Sequence, residues 1–120
     1  MLEILSHASV ELEFLEITVA YENLTKDSYE TCEELFVPLN PSTYMGLSGA
    51  EIILNSSASH AELRKLKTRL DLIANCTRKN GGIYVYANAS GVDGDARIMF
   101  DGSSMVISNG KVLQQARSSP

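Results

Sequence analysis

Apolar and polar positions change period several times along this chain, and the changes predict its elements. Glu51-Ile-Ile-Leu-Asn55 is a short apolar run, expected to be a buried strand that empties into the small-residue loop Ser56 to Ser59. Ser59 and Glu62 have capping-box spacing. Leu63, Leu66, Leu70, Ile73 and Thr77 then recur every three or four positions, which predicts a helix over 59–79 with one buried face. Arg64, Lys65, Lys67, Arg69 and Arg78 fall mostly off that stripe, so the opposite side reads as a solvated basic face. Arg78 and Lys79 suit the negative end of the helix dipole, and Asn80-Gly81-Gly82 stops the helix. Ile83 to Asn88 alternates aliphatic and tyrosine positions, as a strand does, and a loop from Ser90 to Asp95 follows. Ile98 to Phe100 and Ser104 to Ser108 read as two more strands. Asn109-Gly110 is a two-residue hairpin signal before a last strand, Lys111 to Gln115.

Upstream, Pro38 and Pro41 break the backbone. Asn40 or Ser42 can cap a short helix to about Leu47, ended by Gly49. The first 27 residues resist assignment. Val10, Leu12 and Phe14 alternate with Glu11 and Glu13, while Leu2, Leu5, Leu12, Leu15 and Val19 fit a helix about as well. Asn23 to Ser28 reads as a polar connection. The alternation of strands and helices, followed by a run of antiparallel strands, predicts an α/β fold with a mixed sheet.

Composition narrows the class. At 120 residues the chain is long enough for one modest core, and 44% hydrophobic with 21% charged residues is the balance of a soluble globular domain. A net charge of -5 argues against nucleic-acid or anionic-membrane partners, because phosphates would be repelled. No apolar run reaches membrane-spanning length, and the start lacks the basic leader of a secretory signal, so a cytoplasmic location is expected. Asn23, Asn55, Asn75 and Asn88 head Asn-x-Ser/Thr sequons; their place in strand-like and helical patterns favours chance occurrence over glycosylation. The two cysteines, Cys32 and Cys76, allow a disulfide without implying one.

Cys32 admits three readings. It fits a buried small hydrophobe, the ordinary fate of a free cysteine. It could pair with His60 or His7 in a papain-like dyad, which no spacing supports. Or it stands where a short strand enters a helix, where the helix dipole and free N–H groups favour the thiolate and the Glu33 N–H faces an oxyanion. Glu33 and Glu34 are also ordinary first-turn acids. Asp93-Gly-Asp95 and Asp101-Gly102 lack the ligand spacing of a calcium loop and read as turns, so no metal is expected.

Several segments in order resemble the glutaminase part of glutamine-dependent NAD synthetases, within the nitrilase (carbon–nitrogen hydrolase) superfamily. They are Thr31-Cys-Glu-Glu-Leu-Phe36, Asn55-Ser-Ser-Ala-Ser-His60, Glu62-Leu-Arg-Lys65 and Gly81-Gly-Ile-Tyr-Val-Tyr-Ala-Asn88. Asp93-Gly-Asp95, Phe100-Asp-Gly102 and the Asn109-Gly110 hairpin follow, so the match spans about residues 30 to 115. The resemblance implies an α-β-β-α sandwich, present here in part as residues 28–120, with 1–27 a divergent segment. It implies that Cys32 attacks the glutamine side-chain amide to form a thioester, with the Glu33 N–H in the oxyanion hole. Phe36 would line the pocket, and Ser57, Ser59 and Lys65 would lie at glutamine-recognition positions. In the family the ammonia passes to a synthetase domain that uses ATP and deamido-NAD, which these residues would not bind. The family commonly forms homo-oligomers.

The departures shape the expectation too. The family completes its machinery with a Lys and a general-base Glu well upstream of the cysteine, and the 31 residues before Cys32 do not resemble those elements. Lys26-Asp-Ser-Tyr-Glu30 is polar where a strand should lead into the cysteine. Ala58, Ala61 and Val92 stand where the family has glycine, histidine and cysteine. A truncated chain, weakly active or inactive alone, is expected. Two other readings are a different nitrilase-superfamily amidase and a catalytically dead interaction module.

Overall fold

A computed structural model describes residues 27–117. The readings placed on the first 26 residues, including Asn23, Lys26 and His7, lie outside the described residues.

Three parallel strands form one side of the main sheet: β1 (Asp27–Thr31), β2 (Ile52–Ser57) and β3 (Ile83–Asn88). Parallel neighbours need crossovers. The first runs through a one-turn 3₁₀ helix (Cys32–Leu35) and α1 (Pro41–Leu47), the second through α2 (Lys65–Asn80). β4 (Ser90–Asp93) and β5 (Ile98–Asp101) form a separate two-stranded sheet. β6 (Met105–Ser108) pairs antiparallel with β3, and β7 (Lys111–Gln115) antiparallel with β6, giving the order β1-β2-β3-β6-β7.

Register sorts the sheet's two faces. Ile53, Tyr84 and Ile107 form one row and Asn55, Tyr86 and Met105 the next, on the face that buries Leu35, Ile73, Met45 and Leu66 from the turn and helices. The opposite face carries a second apolar cluster, Ile52, Val85 and Val106, with Leu54 and Ile83 against it. The described residues thus make a mixed α/β layer of helices on one five-stranded sheet.

Most predicted elements are present. Asn40 caps α1, its side chain accepting the Ser42 N–H at 2.8 Å, with Pro41 at the first helical position. Asn109 and Gly110 both have positive φ, 49° and 75°, as the tight hairpin requires.

Three expectations are corrected. The polar segment before the cysteine is a strand: Asp27–Thr31 pairs residue for residue with Ile52–Ser56. The loop expected at Ser90 to Asp95 is largely β4. The helix does not start at Ser59 but at Lys65, because tertiary bonds claim the backbone that a capping box would have used. Ser59 N–H donates to Asn88 Oδ1 at 2.8 Å, Ala61 N–H to the Met99 carbonyl at 2.7 Å, and His60 bridges to Phe100. Arg64, in the left-handed region at φ 67°, then turns the chain into α2. Leu63, expected on the buried face, is consequently 99% exposed, whereas Arg69, expected on the solvated side, is fully buried.

Candidate active site at the carboxyl edge of the parallel strands

Ligand sites in open α/β sheets gather beyond the carboxyl ends of parallel strands. Cys32 follows β1 there, Ser57 ends β2, Ser59 lies in the loop after it and Asn88 ends β3. The chain turns sharply at Cys32, which has φ 31°. A non-glycine residue holds such a conformation only where its surroundings enforce it. Glu34 Oε2 accepts the Thr31 N–H at 2.6 Å, Leu35 is anchored in the core, and Asn40 Nδ2 donates to the Leu35 carbonyl at 3.0 Å. Glu33 is the second residue of this turn, and the first N–H groups of a helical turn have no partner within it.

The expected recognition residues surround the corner unevenly. Phe36 packs against the core, and the Lys65 ammonium lies 5.9 Å from its ring centroid. Lys65 also pairs with Glu62 at 3.1 Å, and that contact lowers the Glu62 pKa below the ordinary range. Ser57 Oγ accepts the Tyr86 hydroxyl at 2.8 Å. Ser59 is buried and bonds Asn88 through its main chain. A cavity of about 350 Å³ opens between the turn, α1 and α2; Phe36 lines it, but Cys32, Ser57, Ser59 and Lys65 do not.

Beneath the edge runs a polar network that sequence reasoning overlooked. The buried Arg69 donates to Asp101 Oδ2, and its guanidinium carbon lies 5.9 Å from the Tyr86 ring. Burial works against its charge, yet the Asp101 carboxylate and Tyr86 more than offset it and raise its pKa. Asn88 Nδ2 donates to Asp101 Oδ1 at 3.3 Å and to the carbonyls of Ser59 and Gly102 at 3.2 and 2.9 Å. One amide at the end of β3 therefore ties together the loop after β2 and the end of β5. The signal for Arg69 was available: it stands three positions after Leu66 and four before Ile73, on the buried stripe itself.

The competing readings now separate. Cys32 and Cys76 are both free thiols. Cys76 fits the structural role: its thiol donates to Ser42 Oγ at 3.1 Å, and burial pushes its pKa up. His60 Nε2 contacts the Glu62 carboxylate rather than Cys32, so the described residues form no papain-like dyad there. Asn55, 1% exposed, is no glycosylation site. Among the described residues no His, Cys, Asp and Glu cluster could hold a metal, and no helix is long and apolar enough to cross a membrane.

The carbon-nitrogen hydrolase family profile matches residues 11–119. The chain belongs to that family. Among relatives, it is 55% identical over 86 residues to the glutamine-dependent NAD(+) synthetase of Saccharomyces cerevisiae, and 54% identical over 86 residues to that of Homo sapiens. Each match covers 72% of this chain and 12% of the relative, so the chain spans about an eighth of their length. Among solved structures, a carbon-nitrogen hydrolase from Helicobacter pylori superposes with a TM-score of 0.71 at 23% identity, over 80% of this chain and 38% of that one. A glutamine-dependent NAD(+) synthetase from Cytophaga hutchinsonii superposes at 0.63 with 29% identity, over 77% and 14%. This carbon-nitrogen hydrolase chain thus carries the nitrilase-superfamily α/β fold and resembles the glutamine-dependent NAD synthetases.

Proposed function

We propose that these residues form the cysteine-bearing part of a glutaminase that supplies ammonia for NAD synthesis. The observation that carries the reading is the corner at Cys32, a left-handed turn at the carboxyl end of a parallel strand, in a chain about 55% identical to such synthetases. Cys32 Sγ attacks the side-chain amide carbon of glutamine. The carbon–nitrogen bond breaks, ammonia leaves with an added proton, and a glutamyl thioester remains. Water then cleaves the thioester to glutamate and regenerates the thiol. The Glu33 N–H offers a donor to the oxyanion of both tetrahedral intermediates, and one such donor is worth about 2.7–4 kcal/mol. Phe36 and Lys65 supply an apolar wall and a cation beside the corner, suited to the methylenes and carboxylate of glutamine. ATP and deamido-NAD would bind a separate synthetase domain, and the Lys and general-base Glu that complete the family's glutaminase machinery would come from upstream of the cysteine. Without a general base, turnover falls by about a hundredfold to ten-thousandfold.

Trapping therefore tests the site more directly than turnover. A diazoketone analogue of glutamine should alkylate Cys32 and spare Cys76, with excess glutamine protecting and Cys32→Ala abolishing the adduct. Labelling that ignores glutamine, or that settles on Cys76, would refute the reading. Ammonia release from glutamine and a panel of other amides, beside Cys32→Ala, then distinguishes a glutaminase from a broader amidase.

A further inference from the structure

Glu30 lies two residues before Cys32 and is 2% exposed. A carboxylate is seldom buried unless its oxygens are satisfied, and here the partners are neutral donors from three elements. Oε1 accepts from the Tyr84 hydroxyl of β3 and from Asn55 Nδ2 of β2, the latter at 3.2 Å. Oε2 shares the Ser42 N–H of α1, at 3.2 Å, with Asn40 Oδ1, which accepts it at 2.8 Å. Asn55 Nδ2 also lies 2.9 Å from the Tyr84 oxygen, closing the cluster. Burial first, then the Glu30 charge and hydrogen bond, push the Tyr84 phenol well above its ordinary pKa, so it stays a protonated donor.

The position of this clamp gives it meaning. Among the described strands β1 is an edge, held on one side, and its other residues are polar or exposed: Asp27, Ser28, Tyr29 and Thr31 bury little. Apolar packing therefore does little to fix the strand from which the strained Cys32 departs. On the far side of the corner Glu34, Leu35 and Asn40 supply anchors; on the near side Glu30 is the buried one. We propose that Glu30 is the positioning residue of the nucleophile corner: its carboxylate, clamped by Tyr84, Asn55 and Ser42, locks the end of β1 to the sheet and to α1 and thereby orients Cys32. Glu30 is not a proton acceptor for the thiol, since both oxygens are engaged and no described residue hydrogen-bonds Cys32 Sγ. The proposal rests on Cys32 as the nucleophile.

The test is cysteine-resolved alkylation of the whole 120-residue chain by iodoacetamide at neutral pH, read by peptide mass spectrometry beside thermal melting. Glu30→Gln should slow Cys32 labelling by about tenfold or more, as a displaced reactive group does, while Cys76 keeps its rate. Glu30→Gln combined with Asn55→Asp moves the carboxylate to the paired register position and should restore much of the Cys32 rate. Loss of fold would instead accelerate both cysteines. In that event Tyr84→Phe, which removes one donor and keeps the ring, decides the question with an expected change of roughly threefold at Cys32 alone. An unchanged Cys32 rate in whichever of these variants folds would overturn the proposal. Glutamine protection of Cys32 in the parent chain reports the glutaminase reading separately: its absence beside a Glu30-dependent rate would sink that reading and leave the positioning role standing.

Discussion

Leu63 and Arg69 show how a single residue can reverse the role its type suggests. The leucine is almost fully exposed, and the arginine is fully enclosed against Asp101 and Tyr86. Leu63→Glu should leave the unfolding free energy measured in urea within about 0.5 kcal/mol of the parent, as surface changes do. Arg69→Ala removes one member of a buried ion pair and opens space beside Tyr86, so a loss of about 3–5 kcal/mol is expected in the same experiment. Near-equal effects would contradict the burial of the two side chains. Hydrophobic type alone could not have separated them, because Leu63 fits the helical period and fails only through a backbone break at Arg64.

At the scale of elements, strands and turns with local chemistry were legible. Asn109-Gly110 specified its hairpin, Asn40 was one of two candidate caps for α1, and the alternation over Ile83–Asn88 specified a strand. What the sequence concealed depends on partners distant along the chain. β1 is polar and was read as a connection, yet it is held by its ladder to β2 and by one buried carboxylate. Ser59 has the capping pattern but spends its main chain on Asn88. Nothing local announces either pairing. Of the expected site residues, Cys32 and Ser57 stand at the carboxyl ends of β1 and β2, Lys65 contacts Phe36, and Ser59 bonds Asn88 through its main chain. Gly82 shows an element junction under steric control: with φ 73°, its missing Cβ would sit 2.5 Å from the Glu51 carbonyl oxygen, which accepts the Ile83 N–H at 2.9 Å. Gly82→Ala therefore strains the entry to β3, and equilibrium denaturation should record a loss of about 1–3 kcal/mol or more.

Across the whole molecule, titration should expose the buried polar layer between sheet and helices. Tyr84 and Cys76 both have folded-state pKa values above their ordinary values of 10.0 and 9.0, through burial first and through Glu30 in addition. A group whose folded pKa is raised binds its proton more tightly in the folded state. Its contribution is complete below the unfolded pKa and falls away as pH rises above it. Stability should thus begin to decline above about pH 9 and steepen above about pH 10, where Tyr84 alone contributes a slope of about 1.4 kcal/mol per pH unit. In Tyr84→Phe the steeper limb should vanish from a pH series of melting curves. Its persistence would show that Tyr84 is not the group responsible.

The strand order also has a consequence in time. The hairpin between β6 and β7 closes over two residues, whereas β2 reaches β3, and β1 reaches β2, only after long crossovers have been drawn in. Contacts that close short loops form fast and distant parallel pairings form late. Both parallel pairings of β2, with β1 and with β3, are therefore expected to form after the β6–β7 hairpin. The turn at Cys32 depends on the β1–β2 ladder, so a half-folded chain with only its hairpin closed carries this cysteine without the corner that holds it.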